Sequence, residues 1–412
     1  MPVFQQTELQ NGLRLFFIED KTTPLAAVNL LYDVGSKDEH PEHTGFAHLF
    51  EHLMFGGSKN VPFFDQVING AGGESNAFTN NDFTNYYITL PKENLDVALW
   101  VEADRMQSLI FSSERLEVQR KVVIEEYKQR YLNQPYGDIW LLLRPLAYKK
   151  HPYGWCTIGK DMKAIEQASL QEVEDFFVNF YMPNNAVLCI VGNFSWNTIK
   201  QKVEDYFGDI ARGNRPQRLL PQEPLPQENR ILSVEREVPT DGLLMAFPMC
   251  KRLDRDFYTY DLLSNVLCNG NSSWLYDELC EKKKIFTEID AYITGEVDNG
   301  LLIVEGKPAK NIKMEEAEQA LNEKLSFVAH HALDERKVRK VKNLAESFRV
   351  FSAMTALDNA MNLSFYSLLG DPNLINMEKE IYEQISAADI QKIATRTFEE
   401  QKRYILRYYS KS

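Results

Sequence analysis

The sequence is poor in cysteine and histidine, has no long apolar run and has no excess of positive charge. Each shortage excludes something. The five cysteines, Cys156, Cys189, Cys250, Cys268 and Cys280, are odd in number and never spaced C-x-x-C. That argues against a disulfide framework or a zinc ribbon and suits a reducing compartment. No stretch approaches the roughly 18 uninterrupted apolar residues of a membrane span. The opening Met1-Pro2-Val3-Phe4 carries neither a basic n-region nor an apolar h-region. A cytoplasmic location is therefore expected, or a periplasmic one if a leader has been removed. Lys and Arg number 46 against 59 Asp and Glu, a net charge of −13. Phosphate contact needs a basic surface, so a general nucleic-acid binder is excluded. There is no short-period repeat and no low-complexity tract.

The 412 residues, 44% of them apolar, are enough for two or more well-cored domains. One stretch, 213–230, carries four prolines and little periodicity and reads as an extended linker. It separates an N-terminal domain, 1–212, from a C-terminal one, 231–412. In the first, strand patterns at Leu13–Ile18, Leu25–Tyr32, Glu74–Thr79, Thr84–Leu90 and Ala186–Val191 are interleaved with helical patterns near 44–55, 92–109, 113–131 and 169–180. In the second, strands are expected at Leu243–Phe247, 286–293, 300–306 and 402–409, with helices at 255–268, 273–284, 311–330, 334–354 and 387–398. Hairpins rather than regular βαβ alternation favour an α+β class. The expectation is two similar domains, each a mostly antiparallel sheet with helices packed on one face.

The segment with most chemistry is Gly45-Phe46-Ala47-His48-Leu49-Phe50-Glu51-His52-Leu53-Met54-Phe55-Gly56-Gly57, which Thr44 could cap and the two glycines could stop. At about 100° per residue, His48 and His52 stack one above the other on a helix, and two imidazoles so placed can reach one metal. Glu51 falls on the same side and can approach a water at that metal, the inverted order of H-E-x-x-H. A catalytic zinc needs a third protein ligand. The candidate run is Leu116–Tyr127, in which periodicity leaves Glu125 and Glu126 both open. The other histidines carry less. His40 and His43 sit in a polar loop, His151 precedes Pro152, and His330-His331 end a helix. They read as structural or solvent-facing.

His48-Leu49-Phe50-Glu51-His52, followed by Val118-Gln119-Arg120-Lys121-Val122-Val123-Ile124-Glu125-Glu126, resembles the pitrilysin family of zinc peptidases, which includes insulinase and the mitochondrial processing peptidase. The likeness extends over most of the chain, through Asn11-Gly12-Leu13-Arg14, Gly72–Thr79 and Tyr181–Ala186. It implies a processing-peptidase-like metallohydrolase fold and hydrolysis of peptides or unfolded segments. It makes His48, His52 and Glu126 the ligands of Zn2+ and Glu51 the general base. It implies that Asn76-Ala77-Phe78-Thr79 lie on a strand that pairs with extended substrate. The family's usual glutamate seven residues before the third ligand is here Gln119, an amide that can orient but adds no charge. The Arg and Tyr that a second half supplies near the substrate carbonyl match Cys280 and Thr287, which cannot donate as that pair does. The resemblance therefore implies a metal-bearing subunit of a heterodimer whose homologous partner carries the Arg and Tyr, with a homodimer as the alternative. The competing reading of the whole is a non-enzymatic, peptide-binding scaffold subunit of the same fold.

Overall fold

The computed structural model describes residues 3–215 and 217–411. In chain order its strands are β1 Phe4–Glu8, β2 Arg14–Glu19, β3 Leu25–Tyr32, β4 Glu74–Thr79, β5 Thr84–Pro91 and β6 Ala186–Gly192, then β7 Arg230–Arg236, β8 Gly242–Pro248, β9 Phe286–Ile293, β10 Leu301–Pro308 and β11 Tyr404–Ser410. The helices before the linker are α1 Phe46–Leu53, α2 Phe64–Gly70, α3 Leu95–Ser108, α4 Ser113–Tyr127, α5 Ile139–Ala147, α6 Lys163–Gln167, α7 Leu170–Phe180 and α8 Trp196–Phe207. Those after it are α9 Asp256–Cys268, α10 Met314–His330, α11 Glu335–Phe351, α12 Ala356–Leu368, α13 Leu374–Gln384 and α14 Ala387–Thr395. Among the described residues no helix is long and apolar enough to cross a membrane.

These elements form two compact units, neither continuous in sequence. The first runs to Gln129 and adds Trp155–Leu220 and Val350–Asn376; the second holds Arg130–Gly154, Pro221–Arg349 and the chain from Met377. The chain thus crosses between units not only at 213–230 but also around 130–154 and 350–376.

The first unit is built on a sheet ordered β1-β2-β6-β3-β5-β4. All neighbours are antiparallel except β2 and β6. The β1–β2 turn uses Gly12 at φ +89°, where a Cβ would meet the Asn184 side chain at 2.6 Å. Its neighbour Asn11 is buried and donates to the carbonyls of Phe207 and Ile210 at 2.7 and 3.0 Å. Strand β6 is buried at every residue, as expected where both sheet faces are covered. On one face Phe16, Ile18, Ala27, Val187, Cys189 and Val191 pack against Ala360, Leu363 and Tyr366 of α12. That helix comes from beyond the linker, and it brings Ser364 to the buried Asn29, whose amide donates to it at 2.9 Å.

The second unit is a sheet ordered β7-β11-β8-β10-β9, with only β7 and β11 parallel. One face, with Leu243, Met245, Phe247, Leu302, Val304 and Ile405, joins a core with α9, α10 and α14. The other, with Leu244, Ala246, Ile303, Leu406 and Tyr408, takes Leu143 and Ala147 of α5, a helix from before the linker. The α+β class with two mixed, mostly antiparallel sheets is as expected. The additional finding is one helix, drawn from the other stretch of chain, on the second face of each sheet.

Some local expectations change. The helical pattern at 273–284 is a short π-helical turn, Tyr276–Lys282. Helices α2, α5, α6, α8, α12 and α13 and strands β1 and β7 went unread in the sequence. Between α8 and β7 the described chain is irregular but anchored. Arg218 pairs with Asp33 and Asp38 at 2.7 and 2.5 Å. Further on, the Glu223 carboxylate accepts the amides of Lys149, Lys150 and His151 at 2.9, 2.7 and 3.1 Å.

Candidate metal centre

Helix α1 starts on the buried carboxyl group of Glu39. Gly45 lies at φ +92°, and a Cβ there would be 2.8 Å from the Ile158 carbonyl oxygen, so glycine is required. Glu39, buried, accepts the N–H groups of Gly45 at 3.0 Å and Ala47 at 2.9 Å, and the Trp155 indole N–H at 2.9 Å. This satisfies amides that a helix start leaves orphaned. Burial pushes the Glu39 carboxyl up to about 8, against the lowering effect of those three donors. Thr44, expected as the cap, does not serve as one; its hydroxyl accepts the Lys160 N–H at 3.0 Å.

From this start Leu49, Phe50 and Leu53 turn into the core, with the Phe50 ring tilted against Tyr181 at 4.8 Å and Phe176 at 5.2 Å between centroids. That fixes the rotation of α1 and presents His48 and His52 to α4. Helix α4 is capped by Ser112, whose hydroxyl accepts the Arg115 N–H at 3.2 Å. Glu126 Oε2 lies 3.6 Å from His48 Nε2 and 3.4 Å from His52 Nε2. The three residues offer ligand atoms within 4.8 Å of one another. Ligand atoms around one tetrahedral zinc stand about 3.3 Å apart, so the donor set and its spacing fit such an ion. Glu125 is 61% exposed and pairs with Lys128 at 2.6 Å; of the two glutamates that periodicity left open, it is Glu126 that faces the imidazoles. Gln119 lies two turns earlier on α4, half-buried.

Glu51 stands beside this group. Its Oε2 accepts the Thr79 hydroxyl at 2.7 Å. Below it the Tyr86 and Tyr181 hydroxyls share a 3.2 Å hydrogen bond. Burial, with the Glu51 charge adding, pushes both phenols up, so they stay protonated.

Thr79 ends β4, which is the last strand of its sheet and pairs only with β5. Along β4, Glu74, Asn76 and Phe78 are exposed and Ser75, Ala77 and Thr79 half-buried. The Ala77 N–H is held by the Asn76 side-chain oxygen at 2.8 Å. An N–H taken by its neighbour's side chain is not in the β5 ladder and points to the open edge. Phe78 packs edge-on to Phe83 at 5.8 Å.

Cys280 and Thr287 lie in the second unit. Cys280 packs on that unit's core, its thiol pushed up to about 11 by burial. Thr287 is exposed on β9 and donates to the Lys307 carbonyl at 3.2 Å. Among the described residues both clusters with metal-ligand potential, His48/His52/Glu126 and His40/Glu42/His43, belong to the first unit. Sequence reasoning missed Glu39 and Trp155. The available signal was an acidic residue shortly before the glycine that opens the helix.

Two family models match the chain: "Insulinase (Peptidase family M16)" over residues 14–144 and "Peptidase M16 inactive domain" over 167–345. His48, Glu51, His52 and Glu126 all lie in the first span. The zinc protease PqqE of Helicobacter pylori is 27% identical over 410 residues, 97% of this chain and 91% of that protein. A protease from Helicobacter pylori has a similar crystal structure, with TM-score 0.92 and 25% identity over 99% of this chain and 100% of that one. The periplasmic protease PqqL of Escherichia coli is similar in fold, with TM-score 0.81 and 18% identity, over 98% of this chain but 47% of the longer one.

Proposed function

Because the chain belongs to the M16 family of peptidases, the insulinase and pitrilysin group, we propose that it is a zinc-dependent endopeptidase acting on peptides or unfolded segments, with Glu51 as its proton carrier. The observation that carries the reading is the convergence of His48, His52 and Glu126 from two helices, with Glu51 held beside them by Thr79. Zinc bound there would acidify water and polarise a carbonyl.

The chain's own residues do the rest. Two neutral imidazoles and one carboxylate hold the ion with a residual single positive charge, which favours an anionic transition state. Glu51 takes a proton from the attacking water and returns it to the departing amine. Thr79 fixes the Glu51 carboxylate in place for that task by donating to its Oε2. The substrate would lie along β4 as an added strand. It would take the outward Ala77 N–H from Asn76, whose side chain keeps that donor satisfied until a peptide arrives. Asn76, Ala77, Phe78 and Thr79 are in this reading the substrate-facing stretch.

A homologous second subunit would complete the site. The family's Arg and Tyr positions hold Cys280, packed into a core, and Thr287, bonded to a carbonyl. The chain also spans 47% of PqqL.

Zinc content and turnover of a Glu51→Gln variant test the proposal. The variant should keep its zinc and lose hydrolysis of an extended fluorogenic peptide by about 10²–10⁴-fold. A Glu51→Gln protein as active as the parent would refute it. A parent complex that binds peptide but never cleaves it would support the scaffold reading instead.

A further inference from the structure

The five histidines outside α1 include two that the fold brings together. His40-Pro41-Glu42-His43 forms a turn in which the His43 N–H donates to the His40 carbonyl at 2.8 Å. Proline in the second position pre-sets that geometry. The turn places the two imidazoles side by side, 5.7 Å between ring centroids. His40, Glu42 and His43 offer ligand atoms within 4.8 Å of one another, and all three are exposed.

We propose that this turn is a second metal site, for a borderline divalent cation of the zinc, nickel or copper(II) class, liganded by His40, Glu42 and His43.

The surroundings supply what an isolated pair of histidines lacks. His43 Nδ1 meets Glu172 Oε1 at 2.6 Å. Metal-ligating histidines characteristically donate their other ring N–H to a carboxylate, which fixes the tautomer and raises the basicity of the free nitrogen. Here that leaves His43 Nε2 as the lone pair. Glu172 is itself fixed: it accepts the Ser169 N–H at 2.8 Å and hydroxyl at 2.6 Å in the capping box of α7. The turn is anchored by Lys160, which donates to the Pro41 carbonyl at 2.9 Å. The Glu42 N–H reaches His40 Nδ1 over a long 3.3 Å; a cation at Nδ1 would replace that contact and leave Nε2–H to solvent. Two imidazoles and one carboxylate are a donor set for zinc, nickel and copper rather than for calcium or magnesium. No residue is shared with His48, His52 and Glu126, so the site does not rest on the peptidase reading.

The test reads metal, not hydrolysis. The full chain, stripped with chelator, is titrated with zinc by calorimetry and with cobalt(II) by absorption. The parent should bind two equivalents, one tight and one weaker. The double variant His40→Ala/His43→Ala should lose the weaker and keep the tighter; His48→Ala/His52→Ala should do the reverse. Glu172→Gln, which leaves every ligand in place, should weaken the second equivalent about tenfold or more. It also serves should the double variant fail to fold. Two equivalents in a folded His40→Ala/His43→Ala protein would overturn the proposal. So would a parent that binds one equivalent which His48→Ala/His52→Ala removes, or an unchanged second affinity in Glu172→Gln.

Discussion

Glu125 and Glu126 differ by one position on α4 and by everything around them. Glu126 meets two imidazole nitrogens at 3.4 and 3.6 Å, whereas Glu125 is turned outward to Lys128. Glu126→Gln should lower zinc affinity by a hundredfold or more and take activity with it, while Glu125→Gln should leave both within about twofold, because an exposed ion pair contributes little. Competition against a chromophoric chelator measures the first, and equal losses in the two variants would contradict the assignment. Glu39 acts one step further back, through the backbone of α1. Its ordinary value is 4.5, and burial pushes it up to about 8. Between those values the folded chain keeps a proton that the unfolded chain has released, so this group makes stability fall as pH rises through that window. Glu39→Gln cannot titrate. Urea unfolding at several pH values across the window should therefore show a shallower decline in the variant than in the parent; parallel declines would mean that Glu39 is not the group responsible.

At the scale of elements, β4 is the strand on which the proposed reading has the substrate pair. Its Ala77 N–H is outside the β5 ladder, so proline at 77 removes a donor from the open edge without breaking a strand pair. Ala77→Pro should retain the parent's circular dichroism and melting temperature within a few degrees and raise KM about tenfold, the loss expected for one hydrogen bond of roughly 1 kcal/mol plus local misfit. A normal KM would show that substrate does not pair there. Strand β9, the end strand of the other sheet, repeats the device, with the Ala291 N–H held by Asp290 at 2.8 Å, and in both sheets it covers a donor that would otherwise invite pairing. Strands β3, β4 and β9 were legible to the residue, because alternation or an unbroken apolar run between turn residues marks them. Helices α5 and α12 were not. Each covers the sheet built by the other stretch of chain, and a periodic pattern tells a helix which face is apolar but not which sheet receives it. The HxxEH helix was legible for a different reason, that two imidazoles four residues apart must stack. Which glutamate faces the imidazoles depends on the rotation of α4, which packing sets and periodicity does not, and Glu39 was hidden because its partners are two backbone amides and an indole far along the chain.

Over the whole molecule one frame is used twice. Strands β2-β6-β3-β5-β4 and β7-β11-β8-β10-β9 have the same order, with the single parallel pair in the same place. The likeness suspected from element order is a likeness of topology. The two copies have diverged in chemistry. The first carries the His48/His52/Glu126 group, while among the described residues of the second no such cluster is found. In the proposed reaction an anionic centre develops on the substrate carbonyl, and a missing donor at such a centre typically costs about 10²–10³ in rate. Neither Cys280, a weak donor, nor the short Thr287 can donate there as the family's Arg and Tyr would. The lone chain, loaded with zinc, should therefore cleave an extended fluorogenic peptide at least a hundredfold more slowly than the same chain mixed with a homologous subunit bearing Arg and Tyr at those two positions. Installing both residues here, as Cys280→Arg with Thr287→Tyr, should recover part of the deficit if two copies of this chain can pair. Light scattering alongside the assay distinguishes the cases. Full turnover by a monomer at nanomolar concentration would show that this chain completes its own site and needs no second subunit.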